Sequence, residues 1–308
     1  MLEWIYAVQR LIDFIDENAA DNPSLEEISR QVGYSPYYCM GKIRTFPEYY
    51  IERGEINMQN KSITGGYAME LKKIDDNKHL IGMVSVDEIL RFGYEAGLNE
   101  NSKVLDLTYG YGTTLKVWAE AFGITGTVVE GHPDFAAKGR ERLAQAGVED
   151  KIRIVCEDRR KYADTEKYDL VVCTVGTQIP PGKSLEYIQN SFSLGEKFLK
   201  SGGTLAYVGT YSKIPDPPEE LVDFEGELLV LSELNRIFRE LGYCLTSMAG
   251  DTNAMWEHYA VNWHGGAKEA VEALRKDIND DWVNKWERMY FDYRRPYQGQ
   301  ALFGLEKL

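Results

Sequence analysis

The chain has 308 residues, 44% hydrophobic and 27% charged, a composition that suits a soluble globular protein of about two domains and excludes disordered, collagen-like or repeat architectures. Thirty-five Lys and Arg stand against 49 Asp and Glu, a net charge of −14, so binding to a nucleic-acid backbone or an anionic membrane would need a local basic patch. Cys39, Cys156, Cys173 and Cys244 are too scattered for a zinc pattern and too few for a disulfide framework; with neither a signal peptide nor a transmembrane run, they suggest a cytoplasmic protein.

In chain order, Trp4, Val8, Leu11, Ile12 and Ile15 recur at helical spacing, and Pro23 ends that pattern. Ser24-Leu25-Glu26-Glu27 reads as a capping box for a short helix that Gly33 closes, and Ser35-Pro36 starts a third helix. The segment SLEEISRQVGYSPYYCMGKI resembles the first of the two helix-turn-helix units of AraC-type transcription regulators. Residues 1–60 are therefore expected to form a small all-α segment. Residues 1 to 50 hold eight acids and four bases, and no second unit follows. Both points argue against DNA binding, which draws on Arg, Lys, Asn or Gln aimed at phosphates and base edges. A helical cap or homodimer surface is the preferred expectation.

From Lys103 the pattern changes. KVLDL is a short buried strand ending in an acid, TYGYGTT a glycine turn, and Leu115 to Phe122 a helix. Gly126 to Glu130 is a second strand, its acid about twenty residues beyond the turn and placed to accept ribose hydroxyls. A helix over 134–145, a strand over 151–156 and another over 168–173 imply a parallel sheet with a site at the carboxyl ends of its strands.

This succession resembles the class I S-adenosylmethionine-dependent methyltransferases over about residues 80 to 308, through VLDLTYGYGTT, GTVVEGH, CEDRRKY, YDLVVCTVGT and LKSGGTLAYVG in that order. The resemblance implies an α/β fold for residues 61–308: a Rossmann-like, mostly parallel seven-stranded sheet with helices on both faces and helical cap insertions. It implies that Asp106 holds the methionine ammonium and that Gly110 and Gly112 permit close approach. Glu130, followed by Gly131, would bind the ribose, Asp158 the adenine amine with Arg159 beside it, while Val175 and Gly176 lie near the reacting methyl. One position departs from the family: Thr108 replaces the usual first glycine, and Tyr109 and Tyr111 alternate with the two that remain.

No Asn/Asp-Pro-Pro-aromatic signature follows the fourth strand, where Thr174-Val175-Gly176-Thr177 stands, and no Pro-Cys nucleophile is present. With the acidic charge this favours a small-molecule acceptor over nucleic acid. The loop Ile214-Pro215-Asp216-Pro217-Pro218 is expected over the pocket mouth. Trp256, Tyr259 and Trp263 share one helical face, as core packing or, with Tyr111 and Tyr211, as a substrate wall that stabilises a developing cation. Candidate bases are His258, Glu257, His264 and His132. No metal is expected, and the product would be S-adenosylhomocysteine. A regulator of the AraC type that senses a ligand through this core is the competing reading, and an inactive scaffold a third that rests on Thr108 alone.

Overall fold

The computed structural model describes residues 49–52, 55–58, 72–73, 75–80, 82–108, 110–174, 176, 179–259 and 288–308. The chain divides into two units, Met1–Lys72 and Lys73–Leu308. In the first, β1 (Tyr49–Glu52) pairs antiparallel with β2 (Glu55–Met58), from Tyr49 opposite Met58 to Glu52 opposite Glu55. This corrects the all-helical expectation for residues 1–60. Tyr49, Tyr50, Ile51 and Ile56 favour extended chain. The helix-turn-helix reading, on residues 24–43, lies outside the described residues.

The second unit is built on β3 (Lys103–Asp106), β4 (Thr125–Glu130), β5 (Ile152–Cys156), β6 (Tyr168–Cys173), β7 (Leu199–Ser212), β8 (Tyr243–Gly250) and β9 (Gln298–Lys307). They form one seven-stranded sheet in the order β5-β4-β3-β6-β7-β9-β8. Strands β3 to β7 run parallel, and β9 is antiparallel to both β7 and β8. Apolar runs such as VLDL and YDLVVC follow from burial on both faces, because successive strand residues point to opposite sides. Val104, Val128, Leu170 and Val172 join one core with α1 (Val86–Glu95), α2 (Thr113–Phe122) and α3 (Pro133–Ala146). Leu105, Val129, Val171 and Cys173 join another, which Ile188 and Phe192 of α4 (Ser184–Glu196) complete. Beyond β7 come α5 (Glu219–Glu225) and α6 (Leu231–Glu240), then α7 (Asn253–Tyr259) after β8.

Gly202 and Gly203 lie inside β7, where the pairing with β6 changes register between Tyr168 and Leu170. Glycine is required there: Gly202 has φ +75°, and a Cβ on Gly203 would lie 2.8 Å from the Asp169 carbonyl oxygen. Cys156 and Cys244 are exposed, whereas Cys173 is buried, its thiol pKa pushed up by loss of solvent. Among the described residues no helix is long and apolar enough to cross a membrane.

The chain winds outward from β3 through β4 to β5, then returns to place β6 on the other side of β3. That reversal opens a crevice at the carboxyl ends of β3 and β6, where open α/β sheets bind ligands. Its border is fixed by charge. Asp76, buried, receives Lys116 Nζ of α2 at 2.8 Å and Arg142 Nη2 of α3 at 2.9 Å, while Asp75 takes Arg142 Nη1 at 3.2 Å and Glu120 takes Lys116 at 3.2 Å. Beyond this anchor, Val84 bridges Asp251 and Thr252 N–H donates to the Met83 carbonyl. Asp76→Ala leaves Lys116 and Arg142 short of a buried partner, and removing one member of such a set costs about 3 kcal/mol, the low end of the range because Glu120 and Asp75 remain. Urea unfolding at neutral pH checks this.

Candidate functional site

Asp106 ends β3 with its side chain buried, 4% exposed, and Leu107 N–H continues the pairing to the Val172 carbonyl at 2.8 Å. The chain then enters the glycine turn. Gly110 has φ +130° and Gly112 φ +71°, so the two glycines that remain of the family's three sit where side chains are strained. Gly112 is also the N-cap of α2, with no side-chain cap, so the first amides of that helix are not satisfied by a capping side chain.

Two carboxylates hold this turn. Glu130, at the end of β4 and 3% exposed, accepts from Gly110 N–H through Oε2 and from His132 N–H at 2.6 Å through Oε1. Asp106 Oδ1 accepts from Thr108 N–H at 2.9 Å and from the Thr108 hydroxyl. The departure at position 108 thus adds a donor to the acid that the turn surrounds. Asp106 Oδ2 has no protein donor among the described residues. Burial raises the Asp106 pKa above the ordinary carboxylate range; Thr108's bonds and the Arg159 charge oppose this, and Glu130 adds to it.

Two cavities meet at Thr108. The first has a cavity volume of ≈ 80 Å³, and Asp106, Thr108, Gly110, Tyr111 and Thr174 line it together with His79, Gln300 and an apolar wall. The second is lined by Thr108, Val129, Glu130, Gly131, Asp158, Arg159 and Arg160. Asp158 pairs with Arg160, Nη2 to Oδ2 at 2.7 Å, and the side-chain and backbone bonds from Arg160 hold its pKa far below the usual range. Arg159 Nη1 donates to the Leu107 carbonyl at 3.3 Å. Gly176 lies just past Thr174, whose hydroxyl bonds both its N–H and its carbonyl, and it does not line either cavity.

The other expected residues are distributed differently. Tyr111 lines the first cavity, its ring 4.9 Å from Phe135 and 5.8 Å from His79. Tyr211 and Trp256 line neither; both turn to the buried side chain of Asp251, which accepts from the Tyr211 hydroxyl at 3.0 Å and from Trp256 Nε1 at 2.7 Å and pairs with Lys213 at 2.7 Å. Trp256 packs on Tyr290 in the core, so the packing reading describes its place and the substrate wall does not. Glu257 pairs with Arg295 on the surface, His258 follows it on α7, and exposed His132 faces Phe135 at 4.9 Å; none lines either cavity. Tyr109, Val175, Trp263 and His264, and the Tyr259 side chain, lie outside the described residues. The loop Ile214–Pro218 does not border the cavities either; His79, Leu80, Gly82 and Val84 border the first. His79, Gln300, Val84, Ile89, Val208 and Leu302 were not foreseen. A lone His before an apolar run and a Gln in a strand carry no motif, and only the sheet order brings position 300 next to position 106.

Comparisons with known proteins match this geometry. A family model described as a methyltransferase domain matches residues 104–203, the stretch from β3 to the glycine pair in β7. Residues 104–203 thus resemble a methyltransferase domain, and the seven-stranded sheet has the Rossmann-like methyltransferase fold. The Escherichia coli K12 protein YjhP, described as uncharacterized, is 27% identical over 246 residues, 75% of this chain and 96% of that one. Two solved structures share the fold of this chain with TM-score 0.65. They are S-adenosylmethionine-dependent methyltransferases from Geobacter sulfurreducens, 22% identical, and Thiobacillus denitrificans, 20% identical, both in complex with S-adenosylhomocysteine; each comparison covers 77% of this chain and 98% of the other.

The raised pKa of Asp106 has a direct consequence for stability. The folded state holds that proton more tightly than the unfolded chain, so the acid costs stability once pH rises through its folded pKa, and below the ordinary aspartate range it costs nothing. Asp106→Asn, which keeps an oxygen for Thr108, is expected to raise the melting temperature of the unliganded protein at pH 7, with the gain vanishing below about pH 4. Thermal scans of both proteins across that range are the measurement.

Proposed function

We propose that the protein binds the methionine end of S-adenosylmethionine in the first cavity and its adenosine in the second, and methylates a small-molecule acceptor. The observation that carries the reading is Asp106, a buried carboxylate at the crevice with one oxygen capped by Thr108 and the other without a donor among the described residues. That free oxygen suits an ammonium. Glu130 spends one acceptor site per oxygen on backbone amides, and a carboxylate has about four, so two remain for ribose hydroxyls. Gly131, Asp158 and Arg159 border the space left for the adenine, and Asp158 keeps acceptor capacity beside Arg160.

When bound, S-adenosylmethionine supplies an electrophilic methyl on a sulfonium. The protein's contribution is then positioning and exclusion of water. The glycine turn brings backbone close to the ligand, Thr108 orients Asp106, and Leu80, Val84, Ile89, Val208 and Leu302 keep the reacting space apolar. The size of this cavity and the charge of −14 support a small molecule over nucleic acid. The catalytic domain in this reading is residues 61–308, with residues 1–60 an appendage, in a cytoplasmic protein.

Calorimetry with S-adenosylhomocysteine tests the site. Wild-type protein is expected to bind, Glu130→Ala to bind roughly 10- to 100-fold more weakly, as loss of hydrogen bonds to a charged group implies, and Thr108→Ala to lose less. Binding weakens as pH falls through the raised Asp106 pKa, because the protonated acid no longer attracts the ammonium. Absence of binding by the wild-type protein sinks the proposal. Release of S-adenosylhomocysteine across a panel of amines, phenols and carboxylates then identifies the acceptor class.

A further inference from the structure

His79 and Gln300 both line the first cavity, and the cofactor reading gives neither a role. We infer that His79 is the general base and Gln300 the orienting hydrogen-bond donor for an uncharged acceptor bearing an O–H or N–H group, an inference that rests on the cofactor reading of Asp106.

His79 Nδ1 lies 2.8 Å from the Asp75 carbonyl oxygen. A carbonyl only accepts, so Nδ1 carries the proton and Nε2 of the neutral ring keeps its lone pair. No hydrogen bond engages Nε2 among the described residues. The ring is held in place: the Thr113 hydroxyl donates to the His79 carbonyl at 2.9 Å, and Tyr111 meets the ring edge-on at 5.8 Å. Asp75 Oδ2, itself paired with Arg142, stands 3.9 Å from Nδ1.

Gln300 has the complementary chemistry. Its Oε1 accepts from Met83 N–H at 2.8 Å, which sets the amide orientation and leaves Nε2 as a donor with no acceptor among the described residues. Gly82 makes this approach possible, since a Cβ there would lie 2.8 Å from that oxygen. Donor and base therefore line one apolar cavity beside Asp106. No Lys or Arg is among the described residues lining it, so an acceptor carboxylate or phosphate would lose its solvent without gaining a counter-charge. A neutral phenol, alcohol or amine fits.

In the step, the acceptor's lone pair forms a bond to the methyl carbon while the carbon–sulfur bond breaks and its electron pair goes to sulfur. The acceptor's proton passes to His79 Nε2 and later to solvent. One methyl and one proton leave their partners, and the sulfonium's positive charge ends as the released proton.

The probes are 4-ethylphenol and aniline, against benzoate and phenyl phosphate. His79→Asn, whose amide can still donate to the Asp75 carbonyl, is expected to lose roughly 100-fold or more in kcat, to lose the rising limb of the pH profile, and to bind S-adenosylhomocysteine as wild type does. Gln300→Glu keeps the acceptor for Met83 and is expected to raise KM for the probes about tenfold. The titratable groups near His79 are Lys78 and Asp75 beside it in the chain, Tyr111 from the glycine turn and Asp106 in the same cavity, so Asp75→Asn serves as the control for that limb. The protein has four histidines, and nitrogen-15 spectra of the complex with S-adenosylhomocysteine should show His79 protonated at Nδ1, with Nε2 shifting when 4-ethylphenol is added. Preference for benzoate or phenyl phosphate, a proton on Nε2, an unaltered pH profile in His79→Asn, or neither turnover nor a shift with both probes overturns the inference. Failure of S-adenosylhomocysteine to bind wild-type protein overturns the cofactor reading beneath it.

Discussion

Two carboxylates are held out of water at the ends of adjacent parallel strands, and the surrounding structure answers the cost of keeping them there. An ionised acid in a low-dielectric setting is tolerated only when donors meet it. Glu130 takes two backbone amides, one from the glycine turn and one from the start of the next helix. Asp106 takes both donors of Thr108 on one oxygen, and its remaining deficit is visible in its raised pKa. The turn's shape is thus a consequence of the acids as much as of its glycines. What the protein leaves unsatisfied on Asp106 is what a cationic ligand can supply.

The same economy governs the cavity's border. The buried set of Asp76, Lys116 and Arg142 stands just before His79 in the chain, and Met83 and Val84 are held by Gln300 and Asp251. Asp251 is occupied by Trp256, Tyr211 and Lys213. Of the aromatic side chains offered as a substrate wall, Trp256 and Tyr211 are spent on that anchor, because a buried indole or phenol needs a partner for its polar hydrogen. His79 and Gln300 line the first cavity beside Asp106, Tyr111, several threonines and an aliphatic wall.

The parts legible in the sequence are those whose physics is local. A strand buried on both faces writes itself as an apolar run, a glycine turn as glycines at positive φ, and a strand-end acid as Asp106 or Glu130; β3, β4 and β6 and the site's cofactor side could be read that way. The β1–β2 hairpin was missed because YYIE and EINM are short, and the helical pattern upstream was extended over them. His79 and Gln300 were invisible for a different reason: each is ordinary in its own segment, and 221 positions separate them.

The sequence by itself determined the order of elements, the chemistry of the strand ends and the acidic surface, since each depends on neighbours within a turn or a strand. Tertiary structure decided which side chains face the cavity. The insertion of antiparallel β9 between β7 and β8 carries Gln300 to the crevice, and an ion cluster drawn from three segments sets the start of the stretch that bears His79. Pairing across a sheet and charge balance across helices are long-range conditions, and no local pattern encodes them.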